Sequence, residues 1–186
     1  SVSGGNESKR YYVGLQRFHT DGISRMNHND EKDRYRNNGL VASYSSEFSN
    51  KLEFQSNARV SETYLQYDAL CVSTAFGCST SRDHSEEVDG VESSTNLSLI
   101  YKPTEKLKNK FTIANTYIKR IYARAPGSAN TQQDNYYGDR YAFLYQGNYN
   151  FDLDNSIVFG VEREDDQMGF NKDAKGRIDS SSHVTS

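Results

Sequence analysis

A two-residue period in polarity constrains this chain more than any other feature. Leu40, Ala42, Tyr44, Ser46 and Phe48 fall on one face of an extended segment, with Val41, Ser43, Ser45 and Glu47 on the other. Leu52, Phe54, Ser56, Ala58 and Val60 alternate with Lys51, Glu53, Gln55, Asn57 and Arg59. Tyr141, Phe143, Tyr145, Gly147, Tyr149 and Phe151 repeat the pattern, and Thr95, Leu97, Leu99 and Tyr101 form a shorter run. Side chains alternate between faces along a strand, so each segment predicts a strand with one apolar face. Segments 10–19, 110–120 and 156–164 are strand-like, although Phe18, Ile118 and Val158 fall out of phase.

The connections carry a second signal. Short turn sequences occur at Asn6-Glu7-Ser8, Ser49-Asn50-Lys51, Pro103-Thr104-Glu105-Lys106 and Asp152-Leu153-Asp154-Asn155. Between them lie long polar stretches, read as loops over about 20–36, 65–92, 121–137 and 165–182. Short and long connections alternate throughout, as periplasmic turns and extracellular loops do in a transmembrane β-barrel. Strands of about 10 residues match a tilted bilayer crossing. The expected fold is therefore all-β, an antiparallel up-and-down segment of a transmembrane barrel. Seven fairly complete strands are expected, with a stub at each end (Ser1–Gly5 and His183–Ser186).

Composition decides between this fold and its rivals. Only 34% of the 186 residues are hydrophobic, yet there are 14 Tyr and 9 Phe. Disordered chains are poor in aromatics, and a soluble β-sandwich needs apolar faces richer than Tyr, Ala, Ser and Phe provide. A barrel wall needs one apolar face only, and Tyr suits the membrane–water boundary. The net charge of -3 argues against a general nucleic-acid surface. No run of about 18 apolar residues is long enough for a membrane helix. No signal-peptide pattern opens the chain, so either a leader has been removed or the chain begins inside a longer protein. Both ends fall in mid-strand and no aromatic closes the C-terminus, which favours an internal piece of a large barrel over a closed eight-stranded one.

Enzymatic chemistry is not expected. No phosphate-binding glycine loop, nucleophile elbow or His-Glu-x-x-His motif occurs. His19, His28, His84 and His183 are scattered. Cys71 and Cys78 read as a disulfide closing a small loop, which suits an oxidising compartment. Two free thiols are the alternative, and a zinc site with His84 lacks ligands. Glu164-Asp165-Asp166 reads as a solvated loop edge. Asn171-Lys172-Asp173-Ala174-Lys175-Gly176 resembles the start of an EF-hand but lacks its closing Glu, and reads as a loop.

One acidic stretch carries more. Folding the hairpin at Ser49-Asn50-Lys51 pairs Phe48 with Leu52 and Leu40 with Val60. That register sets Asp33 opposite Tyr67 and beside Asp68, at the open ends of two strands. Clustered carboxylates repel one another unless a hard cation such as calcium lies between them. Asn27, Asn29 and Asp30 could add oxygens. The same segment also reads as a solvated loop, with Lys32 and Arg34 as counter-charges.

The run Phe18-His19-Thr20-Asp21-Gly22-Ile23, then Glu31-Lys32-Asp33, the strand Asn38 to Phe48 and the ending Tyr67-Asp68-Ala69 resembles TonB-dependent outer-membrane receptors, those for vitamin B12 (cobalamin) above all. The likeness extends, more weakly, through the hairpins after Ser93. It implies about a third of a 22-stranded barrel, starting a few strands in, without the N-terminal plug and the segment that touches TonB. It implies active import of a scarce nutrient across the outer membrane, cobalamin first and an iron siderophore second. TonB, the nutrient and outer-membrane lipid would be the partners. Residue by residue, Glu31, Asp33 and Asp68 match the family's calcium-binding acidic pattern. Ser24 stands where the family has Asp, and the loop around Asp83 departs from the pattern. A passive porin or a small eight-stranded barrel is the alternative.

Overall fold

The computed structural model describes residues 1–23, 32–68, 73–74, 77–78, 85–123, 133–152, 154–172 and 177–185. All regular structure in them is β. The strands are β1 (Val2–Gly5), β2 (Lys9–Thr20), β3 (Tyr35–Ser49), β4 (Leu52–Asp68), β5 (Ser73–Thr74), β6 (Gly77–Cys78), β7 (Ser85–Thr104), β8 (Leu107–Ala123), β9 (Gln133–Asn150), β10 (Ser156–Lys172) and β11 (Arg177–Thr185). Nine of them form one antiparallel sheet in the order β1-β2-β3-β4-β7-β8-β9-β10-β11, and β5 pairs with β6. This is the expected up-and-down order. The end strands β1 and β11 are each paired on one side only, so the sheet is open rather than a closed eight-stranded barrel.

The register confirms the alternation strand by strand. Leu40 faces Val60 as expected, and Tyr11, Tyr44, Ser56, Leu97, Ile113 and Phe143 lie in one ladder row. The register shifts at two turns: a bulge between Glu47 and Ser49 pairs Ser49, not Phe48, with Leu52, and a second lies between Tyr101 and Thr104 at the β7–β8 turn. Phe18, Ile118 and Val158 do not interrupt their strands. They belong to the opposite, mainly polar face.

No second layer covers either face among the described residues. Of the described hydrophobic side chains only Ile100 (4% exposed) and Ala142 (6%) are buried, while Phe111, Ile113, Phe143 and Phe159 stand open. A β-sandwich packs such apolar faces against each other, and among the described residues nothing packs on these. The polar face is the crowded one. Ser98 is 2% exposed and Thr112 9%, their hydroxyls 2.9 Å apart, and Ser61, Ile100 and Ala142 are buried on the same side. Ser46, 1% exposed, is the exception on the apolar face; the rest of this crowding without cover marks the polar face as the concave side of a curved sheet.

The apolar face forms a belt that slants across the ladder rows. In β2 the belt is Tyr11, Val13 and Leu15, bounded by Lys9 and Arg17; in β10 it is Ile157, Phe159 and Val161, bounded by Asn155 and Arg163. The row through Val13 runs by Ala42, Ala58, Thr95, Asn115 and Tyr141 to Asp165, six residues above Phe159. Those two strands are six steps apart in the sheet. The belt therefore slips one residue per strand. At about 3.3 Å of rise and about 4.8 Å of spacing, the strands lie about 35° from the belt's normal. Transmembrane barrels tilt their strands roughly 35–45°.

One end of the sheet closes tightly. Asn6 Oδ1 accepts the amides of Ser8 (3.0 Å) and Lys9 (2.9 Å), and Asp152 Oδ1 those of Asp154 and Asn155 (both 2.9 Å). Short side chains that bond the backbone two or three residues on are what these turns require. At the other end the strands overshoot the belt, and here three expected loops are too long. β4 runs to Asp68 and β7 starts at Ser85, inside the span 65–92. β8 runs to Ala123 and β9 starts at Gln133, inside 121–137. The span 165–182 lies mostly in β10 and β11, so Glu164-Asp165-Asp166 is mid-strand rather than a loop edge, and the C-terminal stub begins at Arg177. Between β9 and β10, cross-strand charge pairing accompanies the extra length. Arg140 on β9 donates to both oxygens of Asp166 on β10 (2.7 and 2.8 Å) and lies 4.0 Å from Glu164. Opposite charges across a ladder hold strands that have no apolar face. The span 20–36 does fall between strands.

Three cross-strand pairs join a glycine to an aromatic: Gly4 with Tyr11, Gly147 with Phe159 and Gly169 with Tyr137. In each, a Cβ on the glycine would collide with the ring. Gly147→Val is expected to lift Phe159 off the sheet and destabilise the protein by about 1–3 kcal/mol. Denaturant unfolding of this variant beside Gly147→Val with Phe159→Ala checks it. Recovery of most of the loss in the double variant is the expected result.

Candidate functional site

The overshooting ends of the strands gather three groups of polar side chains. The first is the acidic corner between β2 and β3. Gly22 has a φ of 65° and packs directly on the Asp33 carbonyl, while its amide donates to Thr20 Oγ1 at 3.0 Å. Only glycine adopts this φ at no steric cost. Asp21 lies 3.9 Å from both His19 Nε2 and Lys32 Nζ, in half-exposed pairs of little energetic weight. Gln66 N donates to Arg34 O at 2.8 Å, which extends the β3–β4 ladder one step past Tyr35–Leu65. Asp33, half-buried, is the next residue, so the backbone brings it toward Tyr67 as the register implied.

Of the expected calcium ligands, Glu31 lies outside the described residues, as do Asn27, Asn29 and Asp30. Asp68 ends β4, but its side chain lies outside the description too. Among the described residues no three His, Cys, Asp or Glu side chains gather to hold a metal ion. Cys71 and His84 also fall outside, and Cys78 is placed only as the end of β6, so the disulfide reading lies outside the described residues.

The second group faces away from the concave side. Tyr64 donates to Glu87 Oε1 at 2.8 Å, Gln66 Nε2 donates to the same oxygen at 3.1 Å, and the Arg36 guanidinium sits 5.5 Å above the Tyr64 ring. Burial first, then the bond to Glu87 and the nearby negative charges, push the Tyr64 phenol up to about 12. The fold thus favours the neutral phenol. Its contribution to stability is complete below the ordinary phenol range and is lost as pH rises through about 12. Glu87→Gln is expected to bring the Tyr64 ionisation down toward its ordinary value. Ultraviolet difference titration against Tyr64→Phe checks this.

The third group lines a hollow of about 890 Å³ on the concave face. Ile118, Tyr122, Tyr136, Met168 and Phe170 line it together with Arg120 and Asp134. Arg120 Nη2 lies 3.2 Å from Glu92 Oε1, and this bond first, then one with Tyr122, holds the guanidinium charged. The Tyr122 and Tyr136 rings meet edge to face at 5.4 Å and 81°, and Tyr136 stacks on Phe170 at 4.7 Å. A smaller hollow, lined by Thr63, Leu65, Val88 and Gly90, continues it toward β4 and β7. Sequence reasoning passed over this site. Its one signal was Ile118, which broke the alternation because it faces the concave side.

The chain matches no protein-family model, no curated protein and no solved structure.

Proposed function

We propose that this sheet is a wall of an outer-membrane barrel, that of a TonB-dependent receptor importing a scarce nutrient. Cobalamin is the first candidate for that nutrient and an iron siderophore the second. The slanted apolar belt carries the reading. A belt of Tyr, Phe, Leu, Ile and Val that slips one residue per strand suits lipid around tilted strands, and a soluble protein would have no use for it uncovered. The polar concave face suits a barrel interior, and the tight turns at one end suit the periplasmic side. The strands run on past the belt by about eight to eleven residues, as in β4 beyond Val60 and β10 beyond Val161. That raises their ends about 25 Å above it, where a ligand from outside could be held. No helix among the described residues is long and apolar enough to cross a membrane. The specific receptor class and its nutrient rest on the resemblance described above.

Calcium belongs to this proposal. Glu31, Asp33 and Asp68 would supply carboxylate oxygens of the kind that suits a hard cation, and the ion would fix the outer ends of β3 and β4.

Fractionation and uptake test the reading. The full-length protein is expected in the outer-membrane fraction after urea washing. Deleting its gene should abolish cobalamin or ferric-siderophore uptake in a TonB-dependent way, and a plasmid copy should restore it. A soluble protein would overturn the barrel. Equilibration of small solutes without TonB would replace the receptor with a passive porin. Calorimetry on the full receptor should show calcium affinity lowered by Asp33→Ala and Asp68→Ala, and unchanged affinity would remove the metal site.

A further inference from the structure

We propose that the aromatic hollow on the upper concave face binds an organic cation, a protonated amine or quaternary ammonium group carried by a larger apolar solute. The proposal rests on the reading of that face as a barrel interior.

Position supplies the first argument. Interior positions of a barrel wall are mainly polar, and lower in this sheet the concave face carries Ser98, Thr112, Asn96 and Gln55, with Ile100, Leu144 and Val158 scattered among them. Higher up, Ile118, Tyr122, Tyr136, Met168 and Phe170 replace them. Phe170 lies eleven residues along β10 from Phe159, the middle of the belt. At about 2.7 Å of height per tilted residue it stands about 30 Å above the belt's centre, beyond the roughly 15 Å half-thickness of a bilayer's hydrocarbon. Its apolar surface is therefore offered to a solute, not to lipid chains.

Geometry and charge supply the second. Tyr122 and Tyr136, nearly perpendicular, form two walls of a corner, with Phe170 packed against Tyr136. Aromatic faces carry negative potential and attract cations. Asp134 lies opposite Tyr122 in the ladder and two residues before Tyr136 on the same strand face. Its Oδ1 is buried and has no hydrogen-bond partner among the described residues. An unpaired buried carboxylate oxygen is costly, and a bound cation relieves that cost. Glu86 also lines the hollow, whereas the Arg120 charge is already met by Glu92. An anion would be repelled by Asp134 and Glu86, and a neutral guest would leave Asp134 unpaired. The hollow thus complements a cation with an apolar body. Lys172 follows Asp134 in the same row, on β10, so its removal belongs in the test.

The test uses the full-length protein in detergent, with choline and its uncharged isostere 3,3-dimethylbutan-1-ol as probes for calorimetry. Choline is expected to bind saturably and the isostere at least about tenfold more weakly. Asp134→Asn and Tyr136→Leu should each weaken choline binding about tenfold, Tyr136→Phe less than about threefold, and Lys172→Gln should not weaken it. Heat-modifiable migration in gels verifies folding of each variant, and if Asp134→Asn does not fold, the isostere and the Tyr136 pair still decide. Equal binding of both probes, no choline binding, or an ineffective Asp134→Asn overturns the proposal. So does choline binding by Lys172→Gln alone, which would make Lys172 the cation of this site. Loss of the site with uptake intact removes this inference only, whereas a soluble protein removes the barrel reading beneath it.

Discussion

Phe111→Arg is expected to cost about 2–4 kcal/mol of stability in a lipid bilayer, whereas Asn96→Arg, on the other face, should cost less than about 1 kcal/mol. Phe111 is 48% exposed on the apolar face at mid-belt, in the row of Leu99 and Tyr145, and it stacks on the Tyr145 ring at 5.0 Å. If lipid covers the belt, arginine there must carry its charge into hydrocarbon or thin the bilayer to reach water. Asn96 lies on the concave face, where water solvates a new charge. Reversible urea unfolding in vesicles measures both. Similar losses for the two would show that the belt does not face lipid. The slant sharpens the test: Arg163, in the row of Phe143 and Ile113, already replaces an apolar residue because the belt has slipped below that row on β10.

Gly22→Val is expected to detach the outer end of the β2–β3 connection from β4. Valine at a φ of 65° costs about 1–3 kcal/mol from the backbone alone. Its Cβ would also overlap the Asp33 carbonyl, so Asp33 must move. The Arg34–Gln66 hydrogen bond lies one residue further on. Amide exchange at Gln66 reads the effect directly. Protection should fall at least about tenfold in Gly22→Val and by less in Gly22→Ala, while amides of the β7–β8 ladder keep theirs. Unchanged protection at Gln66 would mean that Gly22 does not hold Asp33. The same variant separates two roles for the acidic corner. If Asp33 binds calcium as proposed, calcium affinity should fall with Gly22→Val although no ligand has been removed.

Much of the fold was legible in local pattern. Leu40 facing Val60 follows from the turn at Ser49-Asn50-Lys51, because a one-residue slip would turn every apolar side chain to the wrong face. The bulge beside Phe48 was not legible, since it shifts the pairing without disturbing the alternation. Polar strand ends misled for a clear reason. Glu164, Asp165 and Asp166 resemble a loop because nothing apolar alternates with them, and their strand is held by Arg140 on a neighbour 24 to 26 residues away. The Asp33 position was legible because it continues a ladder. The concave hollow was not, because Ile118, Tyr122, Tyr136 and Phe170 lie on three strands, and only their ladder rows bring them together.

By itself the sequence determined which residues share a face, where the tight turns fall and that the apolar faces are thin for a packed core. Those are local properties, set by a two-residue period and by side chains that bond the backbone close by. The tertiary structure alone decided how the apolar runs line up across strands. From that alignment come the slant of the belt, the curvature that crowds Ser98 and Thr112, and the aromatic corner above them. Cross-strand register, once summed over many ladders, turns a set of alternating segments into a wall with an inside, an outside and a direction.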